Sequence, residues 1–501
     1  MGKQLVKKKP AAHKKPAQKA KTCKQKPPPT TTQAPFQLES FCKEMVSVAR
    51  TKMREDGVTG VTAHLDGGRN ASGLHFASCF DGLNAPAYLL KHMDLKLPAR
   101  QIYGAECAAG PNVLNLLNHD PMHLFADAAG TGKALAKAGS FCVRHGRKCV
   151  VQQQPCVWIG GFVCKANSAL RANRWDATAD PLGDDSQSLQ TFELSIASIR
   201  HCRPEFFILE NVEGCRMAPK ASTPSATAAA ASSGGNDGAA PKPLSPLEHY
   251  MSYIKKHLPM YTVADLSATS APLPERRPRV WIVGSRCDDF KAASWAALAV
   301  HLENVCVAKP RHHMDHLLVP KAPNVRPAAA TKSKEDAGRQ WAKDAAYHKH
   351  FSEGLQKALD AKRLPEDTVP PDMGKRPSRR PENNQMTAAQ AGSLDVYSMI
   401  IAAAQDTGDT KYADITQATH RGQVVLHGVV KTLATSTRLY DLKTFSYIKP
   451  ERHLAILGYG PDLKLDLVTE AELYEMSGNA MSLAGLCKVM SPLLAHLDLC
   501  K

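Results

Sequence analysis

The sequence predicts an α/β fold: a mostly parallel, doubly wound sheet with helices on both faces. Three observations carry that expectation. Between residues 73 and 285, short apolar runs alternate with stretches of helical period, the mark of a parallel sheet. Several of those runs end in a turn glycine or an acid, where such sheets bind their ligands. With 501 residues, 43% of them hydrophobic, the chain can bury an ordinary core and still carry more than one domain.

Taken in order, residues 1–36 hold ten lysines and no acid. Such a tail cannot pack a core. It reads as a disordered basic arm for nucleic acid or nuclear import, so the nucleus is the expected location. Residues 37–72 form a helical lead-in, with Phe41, Met45, Val48 and Met53 near one face of 37–56. Strands are expected at Leu74–Phe80, Gln101–Glu106, Met122–Ala126, Val157–Gly161, Phe206–Glu210 and Val280–Gly284. Helical pattern falls at 84–94 and 186–203. Residues 216–247, rich in Ala, Ser, Thr, Pro and Gly, read as a disordered insertion. Residues 307–392 are charged and Pro-rich and read as partly disordered, 393–450 regain apolar content, and Leu483–Leu499 reads as a closing helix.

Composition excludes several classes. No stretch reaches the roughly 18 apolar residues of a spanning helix, so no membrane partner is expected. The basic N-terminal segment has no apolar run, so no secretory signal is expected. The 14 cysteines contain no C-x-x-C pair and read as reduced thiols. Cys142, Cys149 and Cys156 are seven apart with no histidine partners assigned, and His312, His313 and His316 read as a solvated loop, so no metal is expected. Without G-x-G-x-x-G a dinucleotide is disfavoured.

Chemistry gathers at the ends of the expected strands. Phe80-Asp81-Gly82 is a strand entering a tight turn, Glu106 ends the next strand, and Asp127 ends the third. In a nucleotide-binding sheet the glycine turn lets a ligand approach the backbone, and the second acid bonds ribose hydroxyls. Gly160-Gly161-Phe162-Val163-Cys164 delivers a thiol into a loop beyond a strand. Glu210-Asn211-Val212 places an acid at another strand end, and Glu275-Arg276-Arg277-Pro278-Arg279 sets spaced arginines before a strand. A thiol, a carboxyl and guanidinium groups at one sheet edge suit nucleophilic attack on an electron-poor ring.

In this order and spacing the chain resembles the DNA cytosine-5 methyltransferase family. Leu457-Gly458-Tyr459-Gly460 and Ser477-Gly478-Asn479-Ala480 are similar to the family's last segments. The resemblance implies a catalytic methyltransferase domain over 73–285, a smaller irregular target-recognition domain over 286–444, and a C-terminal return over 445–501. It implies S-adenosylmethionine as cofactor, held by Phe80, Gly82, Glu106, Asp127 and Asn479. Cys164 is the implied nucleophile toward a flipped-out cytosine, Glu210 the group at ring nitrogen 3, and Arg277 and Arg279 the anchors of base and cysteine loop. Double-stranded DNA is the implied partner. An RNA-directed member of the same fold and a catalytically silent DNA-binding relative are the alternatives. The family's Pro-Cys-Gln is here Val163-Cys164-Lys165; proline fixes φ, and if the loop is merely suboptimal Val163→Pro is expected to preserve or raise activity. Neither target sequence nor oligomeric state is encoded in these motifs.

Overall fold

Five parallel strands form the centre of the sheet, in the order β3 (Leu124–Phe125), β2 (Arg100–Ala105), β1 (His75–Cys79), β6 (Val157–Gly161) and β7 (Phe206–Val212). An antiparallel hairpin, β4 (Ser140–Cys142) and β5 (Arg147–Cys149), extends the β3 edge. At the other edge β10 (Arg279–Ser285) runs antiparallel to β7, and β8 (Thr262–Ala268) antiparallel to β10. The direction of strand addition reverses between β1 and β6, which makes that position the topological switch point of a doubly wound sheet. The structure is a computed structural model. It describes residues 34–58, 73–80, 82–129, 138–168, 182–183, 186–218, 244–320, 345–362, 364–365, 387–403, 412–416, 424–425, 428–442, 444 and 446–501.

Both faces of the sheet are buried, and the alternation of side chains along each strand shows it. Phe76, Val157, Ile159, Phe206, Ile208, Trp281 and Val283 enter one apolar cluster. Their neighbours Ala77, Trp158, Phe207, Leu209, Val280 and Ile282 enter a second. The first cluster is closed by α1 (Leu38–Glu55), α2 (Ala85–His92), α3 (Ala109–Asn118), α6 (Ala292–Val307) and α11 (Leu483–His496). The second is closed by α4 (Gln187–Cys202) and α5 (Pro246–His257). Every residue of α11 is buried, because α1, α2 and α6 pack over it. Burying each large apolar side chain contributes roughly 1.5–3 kcal/mol.

A smaller core lies in the 345–447 region. The helices α7 (Ala345–Asp360) and α8 (Ala388–Ala403) pack together beside a four-stranded antiparallel sheet. That sheet comprises β11 (Tyr412–Asp414), β12 (Val424–Val425), β14 (Leu439–Asp441) and β15 (Ser446–Tyr447). Phe351, Leu394, Tyr397, Ile415 and Tyr440 fill the core. The short strand β13 (Val430–Lys431) pairs in parallel with β9 (Glu275–Arg276), just before β10. The chain then returns through α9 (Pro450–Ile456) and α10 (Glu470–Asn479) to α11.

The expected strands appear where the apolar runs placed them, and Val157–Gly161 coincides with β6. Three differences have physical causes. The third strand shrinks to Leu124–Phe125, so Asp127 stands two residues beyond it. α5 begins inside the stretch read as insertion, because Ser245 and Glu248 form a capping box around Pro246. α6, read as lying beyond the sheet domain, packs on β8 and β10 through Trp295, Leu298 and Leu302. Within the 307–392 stretch, read as partly disordered, lies the helix α7. The basic tail up to residue 33, Asp81 and most of the 216–247 insertion lie outside the described residues. Among the described residues no helix is long and apolar enough to cross a membrane.

Candidate active site

At the carboxyl end of β1 the chain turns sharply. Phe80, Gly82 and Asn84 all have left-handed backbone, at φ 58°, 55° and 56°. Phe80 is the costly member, since left-handed backbone costs a non-glycine residue roughly 1–2 kcal/mol. A buried amide network holds the turn. Asn84 donates to Gln101 Oε1 at 2.8 Å, Gln101 donates to Ser78 Oγ at 2.6 Å, and Asn84 Oδ1 caps α2 through the Ala87 N–H. The Glu106 carboxylate accepts from the Gly82 N–H at 3.2 Å and from the Ala108 N–H at 3.0 Å. It thereby ties the β1 and β2 loops together.

The loop after β6 carries Cys164, which is partly exposed. Its backbone is fixed on several sides. The Val163 N–H donates to Thr191 Oγ1 on α4 at 3.0 Å, and the Thr191 hydroxyl donates in turn to the Gln187 carbonyl. Asn211 Nδ2 donates to the Phe162 carbonyl at 3.2 Å. Asn167, buried at the far end of the loop, donates its N–H to the Cys164 carbonyl. Its side-chain amide donates to Asn211 Oδ1 and Tyr250 Oη. Lys165 points into solvent.

Strand register sets the next partners. Gly161 lies directly beside Glu210. A Cβ on Gly161 would come within 2.8 Å of Met481 Cε and 3.2 Å of Glu210 Oε2, with the Phe80 carbonyl at 3.6 Å. Glycine there leaves open the space where the β1 turn, the C-terminal return and the Glu210 carboxylate meet. Because β10 is antiparallel, its first residue reaches the same sheet edge. Arg279 Nε stands 2.6 Å from Glu210 Oε1, with both side chains nearly buried. Burial pulls the Arg279 guanidinium below its ordinary value, helped by Arg277 and opposed by Glu210 and Cys164. Burial pushes the Cys164 thiol up; Arg279 and Arg277 pull it down, and Glu210 pushes it up. The four groups expected to do the chemistry are thus electrostatic neighbours.

Arg277, expected to anchor the base and help hold the cysteine loop, turns its donors to groups of the protein itself. Its terminal nitrogens donate to Glu275 Oε1 and to the carbonyls of Leu433, Gly478 and Ala480 at 2.8–3.2 Å. It is buried and clamps the 478–480 turn to the sheet edge, which makes it a positioning residue. Asn479, at the end of α10, is exposed beside that clamp. Asp127 is exposed; burial first, then Glu106 and Asp127, push the Cys107 thiol up, so those two acids are also neighbours.

The cofactor-side residues fit a nucleoside carrying a ribose diol. A carboxylate offers about four lone-pair directions, and each Glu106 oxygen accepts from one backbone N–H, leaving acceptor capacity for hydroxyl groups. Space is open at the Gly82 turn, where an added Cβ meets nothing within 4 Å. Ser78, Asn84, Gln101, Asn167 and Thr191 escaped the sequence reading. Buried amides and hydroxyls carry no periodic signal, and only the fold brings them together. The expectation that Cys142 and Cys149 lack histidine partners is also corrected: His123 and His145 stand beside them.

No protein-family model matches this sequence, and no curated protein matches it. Among solved structures the chain is similar to one described as a DNA modification methyltransferase encoded within an E. coli prophage. That likeness has 12% identity and a TM-score of 0.45 over 85% of this chain and 100% of that one. It is similar to the S. pombe Dnmt2 methyltransferase at 12% identity and a TM-score of 0.40, over 84% of this chain and 98% of that one. It is also similar to the Entamoeba histolytica methyltransferase EhMeth at 9% identity and a TM-score of 0.34, over 85% and 97%.

Proposed function

We propose that the protein is an S-adenosylmethionine-dependent nucleic-acid methyltransferase that acts on carbon 5 of cytosine through a covalent Cys164 adduct. One observation carries this reading: a partly exposed thiol and a nearly buried Glu210–Arg279 pair meet at the carboxyl edge of the sheet, beside its switch point. Phe80, Gly82, Glu106, Asp127 and Asn479 would hold the cofactor, which supplies an electrophilic methyl group when bound. The Cys164 thiolate adds to carbon 6 of the base, and the displaced ring electrons are accommodated as Glu210 protonates or hydrogen-bonds ring nitrogen 3. Arg279 holds the Glu210 carboxyl in place across that step. Carbon 5, made nucleophilic, takes the methyl group. Loss of its proton and expulsion of the Cys164 thiolate restore the aromatic ring. A stacked base cannot reach this edge, so the cytosine must leave the helix.

DNA is the favoured substrate on the order of the motifs in the sequence; the strongly basic chain, +17 in formal charge, suits a nucleic-acid polyanion of either kind. Transfer of labelled methyl groups to double-stranded DNA, single-stranded DNA and RNA tests the reading. We expect incorporation with wild type and none with Cys164→Ala. Equal incorporation by both proteins would overturn the nucleophile assignment.

A further inference from the structure

We propose that His123, Cys142, His145 and Cys149 form a structural zinc site that fastens the β4–β5 hairpin to β3. The four side chains come from three places: the residue just before β3, the end of β4 with the turn that follows, and the end of β5. One ligand atom from each lies within 4.8 Å of the others. His145 Nδ1 is 3.3 Å from the sulfurs of both Cys142 and Cys149. A tetrahedral zinc with Zn–S of about 2.3 Å and Zn–N of about 2.0 Å separates neighbouring S and N ligands by about 3.5 Å. The His145 nitrogen therefore already stands near that spacing from both sulfurs, with a His123 nitrogen within 4.8 Å of all three.

Three further features point the same way. His123 keeps a buried Nδ1 with no hydrogen-bond partner among the described residues, a costly arrangement unless the ring serves as a ligand. The Leu124 N–H donates to Cys142 Sγ at 3.4 Å, the kind of outer contact that orients a metal thiolate. Beyond an Arg144 side chain that pairs with Asp120 and donates to the Pro121 carbonyl, and the Val143 N–H donated to the Leu124 carbonyl, the hairpin has little support. Each of its strands has three residues, Phe141 is 55% exposed, and the ladder to β3 is the single pair Phe125–Cys142. A two-stranded hairpin is marginal in water without a packed face, so a cross-link supplies what apolar burial does not. Two sulfurs and two imidazoles in tetrahedral reach select zinc over hard cations. Four protein ligands leave no open position, so the role is structural. The site does not depend on the reaction assigned to Cys164.

The test uses the full chain purified without chelator or added metal. Elemental analysis should find about one zinc per chain, unchanged in Cys287→Ser and lost in Cys142→Ser/Cys149→Ser. The second readout needs no variant. In wild type, Cys142 and Cys149 should resist alkylation until a strong chelator is added, while exposed Cys107 reacts throughout, as read by mass spectrometry of the peptides. Zinc retained by the double variant, or alkylation of Cys142 and Cys149 that ignores the chelator, would overturn the proposal. A metal-free protein with Cys142 disulfide-bonded to Cys149 would overturn it as well.

Discussion

Val163 occupies the place that a proline holds in the family the sequence resembles, and its backbone is held in another way. The Val163 N–H donates to Thr191 Oγ1, a bond that proline could not make. The sequence-based expectation that Val163→Pro preserves or raises activity is therefore reversed. Removing a neutral hydrogen bond costs about 1 kcal/mol, so Val163→Pro and Thr191→Ala should each lower kcat roughly fivefold. The double variant should do little more than either, and steady-state kinetics on the three proteins checks this. Cys164 sets a second expectation. Burial holds its thiol up against the pull of Arg279 and Arg277. The thiolate is the attacking form, so kcat/KM should climb as pH rises into the alkaline range. Arg279→Gln removes the larger opposing charge and should move that limb to higher pH. A pH–rate profile that is flat above neutrality in both proteins would contradict the nucleophile's role.

Among the elements, α11 carries a buried ion pair inside its apolar packing. Lys488 Nζ, with its side chain fully buried, contacts the Glu303 carboxylate of α6 and donates to the carbonyls of Thr269 and Ala271 at 2.8 and 2.9 Å. Removing one partner of a buried pair strands the other charge and costs about 3–5 kcal/mol. Lys488→Met should destabilise by that amount in denaturant unfolding, and adding Glu303→Leu should recover part of it. Elements with strong apolar runs were legible in the sequence, among them β1, β6, β7, β10, α1 and α4. β8 was not, because its edge position leaves Thr262–Val263–Ala264–Asp265 largely unburied and removes the apolar signature. α3 was masked by Gly110 and Pro111 in its first turn, residues that read as a turn but are tolerated at a helix start. The candidate site was legible residue by residue, since Cys164 follows β6, Glu210 lies near the end of β7 and Arg279 begins β10. What held them in place was not legible, because Arg277's carbonyl partners are backbone groups more than 150 residues away in sequence.

For the whole molecule, acid stability and catalysis are separable. His453 is fully buried with neither ring nitrogen hydrogen-bonded among the described residues, and burial drives its pKa down to about 3. Burial likewise lowers His119 to about 4. In the unfolded chain both titrate near 6.5. The unfolded state therefore takes up protons first, and stability present above about pH 6.5 falls as pH drops toward the folded values. We expect a loss on the order of 2–4 kcal/mol between pH 7 and pH 5, partly abolished in His453→Phe. Calorimetry at the two pH values checks the sign. The most direct test of the central claim is covalent trapping. Duplex DNA carrying 5-fluorocytosine blocks loss of the substituent at carbon 5, so a Cys164 adduct formed in the presence of S-adenosylmethionine cannot resolve. The account predicts a denaturation-resistant protein–DNA band with wild type that maps by peptide mass to Cys164 and disappears in Cys164→Ala. Methyl transfer by the wild type with no such adduct, or an adduct that persists in Cys164→Ala, would contradict it.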